Sequence, residues 1–421
     1  MIKQALNKRY VRVLATITFA LIAVIAFMLL SGTKADAKTI KIKTPAQMRN
    51  INWKNKGFGP GNTYKLCNDM DLATDLPNDE YGYVLLTKGK FTIDLNGHTL
   101  QSTDSRVTVI SNRGANVTIK DSKAKKQTMS HPSIRSYNFG AIEMTKGSLN
   151  IKNGYYLGRS DGTNNPVALY VGGGKCVVNG GTFDGEFVGA STANTGKLYI
   201  NGGKFIGRYM FALMHFGGGT IKIAKGTFTN TYQSYTIPTF AFGKYNLDGK
   251  TFNFKKWLAS GAKFSPTIKK TLYWNGQGRT GSNTYISDSP TYTVYGYTNA
   301  YPYAVAWTGN SGFEPVTIKV KSSPNPPATK ITSLKARSKG LTVKWSKKSK
   351  KTSGYQVQYS TSSKFKKAKI VTIKGKNKKS KVIKKLKGGK KYYVRVRTYR
   401  SFNATKYYSK WSKAKSKKTK K

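Results

Sequence analysis

Side chains able to move protons or bind a metal are scarce in this chain: 16 Asp and Glu and three His among 421 residues. The densest acidic group is Asp69, Asp71, Asp75, Asp79 and Glu80. A hard cation needs several oxygens converging on one point. The spacing here is that of a strand followed by a loop, without the glycine turn of a calcium loop, so a surface role is expected. His98 stands in Asn96-Gly97-His98-Thr99 as a turn residue, with no triad or metal partners visible around it. No catalytic residue, metal ligand or cofactor is assigned. The cysteines, Cys67 and Cys176, are expected as free, buried thiols.

Charge is more informative. Lys and Arg number 74, for a net charge of +58, which implies a polyanionic setting. Residues 315–421 hold 36 of these cations and no Asp or Glu, while the other 314 residues hold 38 cations and all 16 acids. That shift, together with the Ser- and Pro-rich stretch 322–327, marks a boundary near residue 325. The 27 Tyr and 19 Phe argue against disorder.

The elements that must position these groups are repeats. LYINGGKFIGR at 198–208 echoes CVVNGGTFDGE at 176–186. IKIAKGTF at 221–228 and YNLDGKTF at 245–252 repeat the pattern, and 93–100, 117–119 and 149–156 fit more loosely. Alternating apolar residues make a strand, and Asn-Gly or Gly-Gly supplies a tight turn. A unit of 22 to 32 residues cannot bury its own apolar face, but a stack of such units can. Over residues 38–320 the pattern resembles the right-handed parallel β-helices of the pectin-lyase-like superfamily. That family's catalytic Asn-Thr-Asp, Asp-Asp, Gly-His-Gly and Arg-Ile-Lys elements are missing.

The stack predicts several columns. Leu100, Tyr156, Phe183, Phe205, Phe228 and Phe252 should pile up inside, and Asn96, Asn153, Asn179, Asn201 and Asp248 should line one turn. Arg159, Glu186 and Arg208 follow the same Gly-x-aromatic-x-Gly element, so rungs about 4.8 Å apart should place Glu186 between two guanidiniums. This predicts an ion-pair ladder, with an anionic-sugar subsite as the functional alternative. Glu143, Tyr170, Thr192 and His215 should form an outward column in which Tyr170 could stack on a sugar. The late aromatics Tyr292, Tyr295, Tyr297, Tyr301, Tyr303 and Trp307 are expected to cap the solenoid.

From residue 328 to 416 the alternation predicts a seven-stranded sandwich, with linker 321–327 before it and a basic tail 417–421 after it. Trp345 on the second strand, Leu386 six residues before Tyr392, and Ser409-Lys410-Trp411-Ser412 together resemble a fibronectin type III domain. Lys-rich versions of that module look like those on secreted or surface proteins of Gram-positive bacteria. The predicted class is all-β, a parallel β-helix solenoid plus an immunoglobulin-like sandwich.

Residues 1–37 read as a signal peptide: Lys3, Lys8, Arg9 and Arg12 precede an uncharged run at 13–30, and Ala35-Asp36-Ala37 offers a cleavage site. Retention as an anchor is the alternative, and is the one membrane contact foreseen. The expected function is an extracellular or wall-associated monomer that binds anionic polysaccharide or teichoic-acid-like wall polymer without catalysis. A divergent polysaccharide lyase or glycoside hydrolase is the rival. Nucleic-acid binding would be non-specific, because no base-reading motif is present.

Overall fold

The computed structural model describes residues 37–51, 61–76, 81–137, 139–160, 166–209, 211–216, 218–231, 240–243, 251–265, 270–274, 291–293, 303–307, 316–320 and 323–421. Residues 1–36, which include most of the expected signal peptide, and Asp79, Glu80 and Asp248 lie outside them. Up to Asn230 the short alternating strands wind into coils that pair in parallel, making a β-solenoid of about seven turns.

Each coil contributes one strand to each of three faces. The first face runs through Thr39–Ile42, Thr63–Leu66, Lys90–Asp94, 116–120, 148–151, Lys175–Val178, Lys197–Ile200 and Thr220–Ile223. The second face includes Leu100–Ser102, Ile134–Tyr137, Tyr155–Arg159, Thr182–Gly185, Lys204–Gly207 and Gly226–Asn230. The third includes Val84–Leu86, Val167–Val171, Val188–Ala193, Leu213–Phe216 and Phe240–Gly243. Strands Ile110–Lys120 and Ile142–Ile151 bend from the third face to the first through register shifts.

The glycines of the repeat have two jobs. Gly181 and Gly203 turn the chain at φ 106° and 116°, which side chains disfavour. Gly185 and Gly207 make the next corner by close approach: a Cβ at Gly185 would lie 1.8 Å from the Val188 carbonyl oxygen.

Inside the second face, Leu100, Ile134, Tyr156, Phe183, Phe205 and Phe228 form one fully buried column. The four rings stack at 4.9 to 5.0 Å between centroids. Ile134 is an unforeseen member. Phe252 is not the next rung, because Thr251–Asn253 pairs antiparallel with Thr291–Thr293. Phe240 tilts onto Phe228 instead. Antiparallel strands then close the stack: Tyr303–Trp307 covers Phe240–Gly243, and Val316–Val320 covers Gly226–Asn230. Capping is thus the role of Tyr303–Trp307, while Tyr295, Tyr297 and Tyr301 lie outside the described residues. The first unit is also shifted by two residues, since Phe91, not Ile93, pairs with Val117. A two-residue slip leaves the buried face unchanged. Cys176 is fully buried and burial pushes its thiol pKa well up, while Cys67 is only half-buried.

The asparagines do not bond in a simple amide ladder. Three of them tie their turns to the coil before: Asn96 Nδ2 donates to Leu66 O, Asn153 Nδ2 to Asp121 O, and Asn179 Nδ2 to Asn150 Oδ1, whereas Asn201 Nδ2 donates to Asn403 O and Thr405 Oγ1.

The C-terminal sandwich has its own core, in which Leu341, Val343, Trp345, Tyr355, Val357, Val394 and Val396 are buried. One sheet holds Ile331–Arg337, Gly340–Trp345 and Ser380–Ile383; the other holds Lys369–Lys374, Gly354–Ser360, Lys391–Phe402, Thr405–Tyr408 and Lys415–Lys418. Trp345 Nε1 donates to Lys378 O at 3.0 Å, and the Tyr392 hydroxyl accepts the Lys387 N–H at 3.1 Å, the predicted tie between corner and backbone. The expected last strand is broken in two, with Ser409 Oγ and Ser412 Oγ accepting the backbone N–H of Thr398 and Val396. Residues 417–421 are not a tail. Lys415–Lys418 pairs with Lys391–Phe402, Thr419 is buried, and the Lys420 N–H donates to Arg337 O.

The sandwich sits on the solenoid through the two-residue hairpin turn between Lys391–Phe402 and Thr405–Tyr408. Asn403 and Ala404 take φ of 42° and 60°, and Asn403 Nδ2 donates to Asn201 Oδ1 at 2.9 Å and Lys222 O at 3.0 Å. Asn201 Nδ2 returns a bond to Thr405 Oγ1 at 2.9 Å.

Candidate functional site

The Arg159–Glu186–Arg208 column exists in the backbone. Gly158, Gly185 and Gly207 are aligned, and the N–H groups of Glu186 and Arg208 donate to Gly158 O and Gly185 O. The charges do not alternate as a ladder. Arg208 grips Asp184 through Nε and Nη2, both at 2.7 Å, and the Tyr155 hydroxyl donates to the same carboxylate at 2.6 Å. Asp184 is fully buried. Its bond to Arg208 raises the guanidinium pKa, and burial, then the Asp184 bond, raises that of Tyr155. Glu186 Oε2 instead accepts the Ser160 N–H at 2.7 Å. Arg159 and Arg208 both reach Met129 Sδ, on the loop that crosses this face. The column is therefore a closed structural cluster at Arg208, not an open cradle of two guanidiniums.

The column of Glu143, Tyr170, Thr192 and His215 divides. Glu143 and half-buried Tyr170 align with Ser191 and Met214, while Thr192 and His215 align with each other one position further on. Thr192 and His215 are buried and joined by a Thr192 Oγ1–His215 Nδ1 hydrogen bond. Burial lowers the His215 pKa to about 4. The slip arises in the turn that follows. Ala193-Asn194-Thr195-Gly196 needs one residue more than Gly172-Gly173-Gly174, with Asn194 at φ 50°.

Among the early acids, Asp71 accepts the backbone N–H groups of Ala73 and Thr103, and no convergent oxygen cage forms among the described residues. His98 has a partner after all: its Nδ1 lies 3.3 Å from Asp69 Oδ1, and His131 Nε2 lies 3.8 Å from Asp69 Oδ2. Rung spacing could have found His131, since Leu100 and Ile134 are aligned and both histidines stand just ahead of them.

The cluster that the sequence reading missed lies on the outer face of the five-stranded sheet. Tyr393, Arg395 and Arg397 are half-buried and alternate with buried Val394, Val396 and Thr398, so they point outward from one strand, while Tyr399 at its end is buried. The Arg395 guanidinium lies 4.1 Å from the Phe365 ring centroid and 4.9 Å from that of Trp411. Arg397 lies 4.2 Å from Trp411 and 4.0 Å from Tyr408. Aromatic and cationic planes thus alternate along the sheet. Neutral amides hold the forks: Gln358 Oε1 accepts from Arg395 Nε at 2.6 Å, and Gln356 Oε1 from Arg397 Nε and Nη2 at 3.0 and 2.7 Å. Burial lowers the pKa of both guanidiniums. Alternation at 393–399 was the available signal, but only the fold brings Phe365, Tyr408 and Trp411 alongside.

No curated protein matches the chain. Among solved structures, a myokine structure is 16% identical over 24% of this chain and all of its own, with TM-score 0.18. The FN1–FN3 domains of chicken CNTN1 are 16% identical over 38% of this chain and 57% of theirs, with TM-score 0.21. A β-1,2-glucanase from Parabacteroides distasonis is 14% identical over 38% of this chain and 27% of its own, with TM-score 0.19. Scores this low say nothing about activity. The fibronectin type III family matches residues 325–414. With its buried Trp345, its Tyr392 corner and its two packed sheets, the C-terminal segment of this chain is a fibronectin type III domain that follows a β-solenoid.

Proposed function

We propose that the protein is secreted or held at the cell surface, and that it binds anionic polysaccharide or a teichoic-acid-like wall polymer without cleaving it. The pairing of a β-solenoid with a fibronectin type III domain fits a carbohydrate-binding or surface protein. One observation carries the reading further: residues 315–421 hold 36 cations and no acid. The domain thus contains no side-chain counter-charge of its own, and its self-repulsion falls when an external polyanion covers it. Lysine outnumbers arginine there, which suits many weak contacts along a flexible polymer.

A glycan array probed with the full chain tests this, read both for retention and for release of unsaturated or reducing ends. Retention on acidic glycans without new ends supports the reading. New ends would move the protein to the lyase or hydrolase class, and no retention on acidic glycans would remove the polymer from the account.

A further inference from the structure

A uniform basic coat would bind any polyanion equally well with any of its faces. The outer face of the five-stranded sheet is different in kind. Arg395 and Arg397 stand two residues apart on one strand, about 7 Å along it, and flank the Trp411 ring. Ring stacking and the amides of Gln356 and Gln358 fix both guanidinium planes without neutralising them. Among the described residues, both Nη groups of Arg395 and Nη1 of Arg397 take no protein acceptor. Lys391 lies 5.6 Å from the Tyr393 ring and Lys406 5.7 Å from that of Tyr399, extending the cations along the same face.

We propose that this face is an oxyanion-binding strip, in which Arg395 and Arg397 grip successive carboxylates or phosphates of an extended acidic polymer. The assignment rests on the polymer-binding function proposed above and locates it. A guanidinium presents five N–H donors in a planar fork that matches an oxyanion bidentately, and pre-ordering by stacking lowers the entropy lost on binding. Burial disfavours these two cations, and Arg395 further lowers the pKa of Arg397. A bound anion relieves both effects. The two forks lie in line along one strand, which suits a chain carrying a charge on each repeat.

The experiment compares full-chain variants for binding to poly(glycerol phosphate), to polygalacturonate and to a single-stranded oligonucleotide at matched salt. R395Q/R397Q is expected to weaken binding to at least one of the two polymers by tenfold or more. The slope of log K against log salt should fall by about two, as each phosphate-type contact contributes roughly one unit. K335Q/K344Q removes the same two charges from exposed positions on the other sheet, and should change affinity less than twofold. R395K/R397K keeps the charge and should still lose most of the affinity, because lysine supplies neither the plane nor the fork. Thermal unfolding of each variant separates lost contacts from lost fold. Equal losses in the two Gln pairs, or full binding by the Lys pair, would overturn the strip while leaving polymer binding in place. Tighter binding of the oligonucleotide than of both polymers would overturn the ligand class. Wild-type protein that binds neither polymer would refute the function itself.

Discussion

Arg208 has two carboxylates within its neighbourhood, and burial decides between them. Asp184 has no exposed surface, so leaving it without a cation costs far more than leaving Glu186 in partial contact with water. Arg208→Gln is therefore expected to destabilise the protein by about 3 kcal/mol, with Glu186→Gln within about 0.5 kcal/mol of wild type, both measured by urea unfolding. Similar costs for the two would restore the alternating ladder. His215 makes a pH prediction. Its folded pKa of about 4 lies below the ordinary histidine value of 6.5, so between these the unfolded chain binds more protons. Its contribution is present above about pH 6.5 and is lost as pH falls toward 4, to a total of about 3 kcal/mol. In His215→Gln the urea midpoint should fall less steeply over that window. An unchanged slope would show the imidazole already charged in the folded protein.

Among the elements, the second face of the solenoid carries the stacked ring column. Its ring column is continuous from Tyr156 to Phe228, each member fully buried and stacked on both neighbours or on one. Phe205→Ala removes a ring from the interior of that stack, and a destabilisation of about 3 to 5 kcal/mol is expected in equilibrium unfolding. A cost below about 1 kcal/mol would mean that neighbouring rungs collapse into the gap. The glycine corners set the path of this column: the close approach of Gly185 to Val188 and of Gly207 to Phe211 is what lets the chain turn sharply off the second face. The repeat is legible in the sequence for this reason, since its glycines and aromatics are each demanded by local geometry.

At the scale of the whole molecule, two regions with separate cores carry very different charge densities. The isolated fibronectin type III domain should bind a heparin-like resin and elute at higher salt than the isolated 38–320 segment, with steep salt dependence in both. Equal elution would take the domain out of the binding account. Removing residues 413–421 is not a clean charge test, because it deletes the strand Lys415–Lys418 and buried Thr419. Lysine-to-glutamine changes at exposed Lys415, Lys417 and Lys418 are the sound version, and should lower the elution salt in steps. The hairpin at Asn403 docks the basic domain on Asn201 and Lys222.

Local periodicity determined by itself that the repeats up to Asn230 stack, that Phe183, Phe205 and Phe228 share a column, and that the C-terminal segment is a sandwich tied by Tyr392. Each of these follows from spacing within a strand or turn, where one or two residues set the geometry. The tertiary structure alone decided the partners. One additional turn residue at Asn194 rotated His215 and Thr192 into the core, and a count from unit starts does not register such an insertion. Desolvation of Asp184 redirected Arg208, a competition between acceptors that exists only once the coils are packed. Phe365, Arg395, Trp411, Arg397 and Tyr408 become one stack because two strands and two loop segments converge. Asn201 meets Asn403 across 202 residues of chain, a distance that only the folded molecule closes.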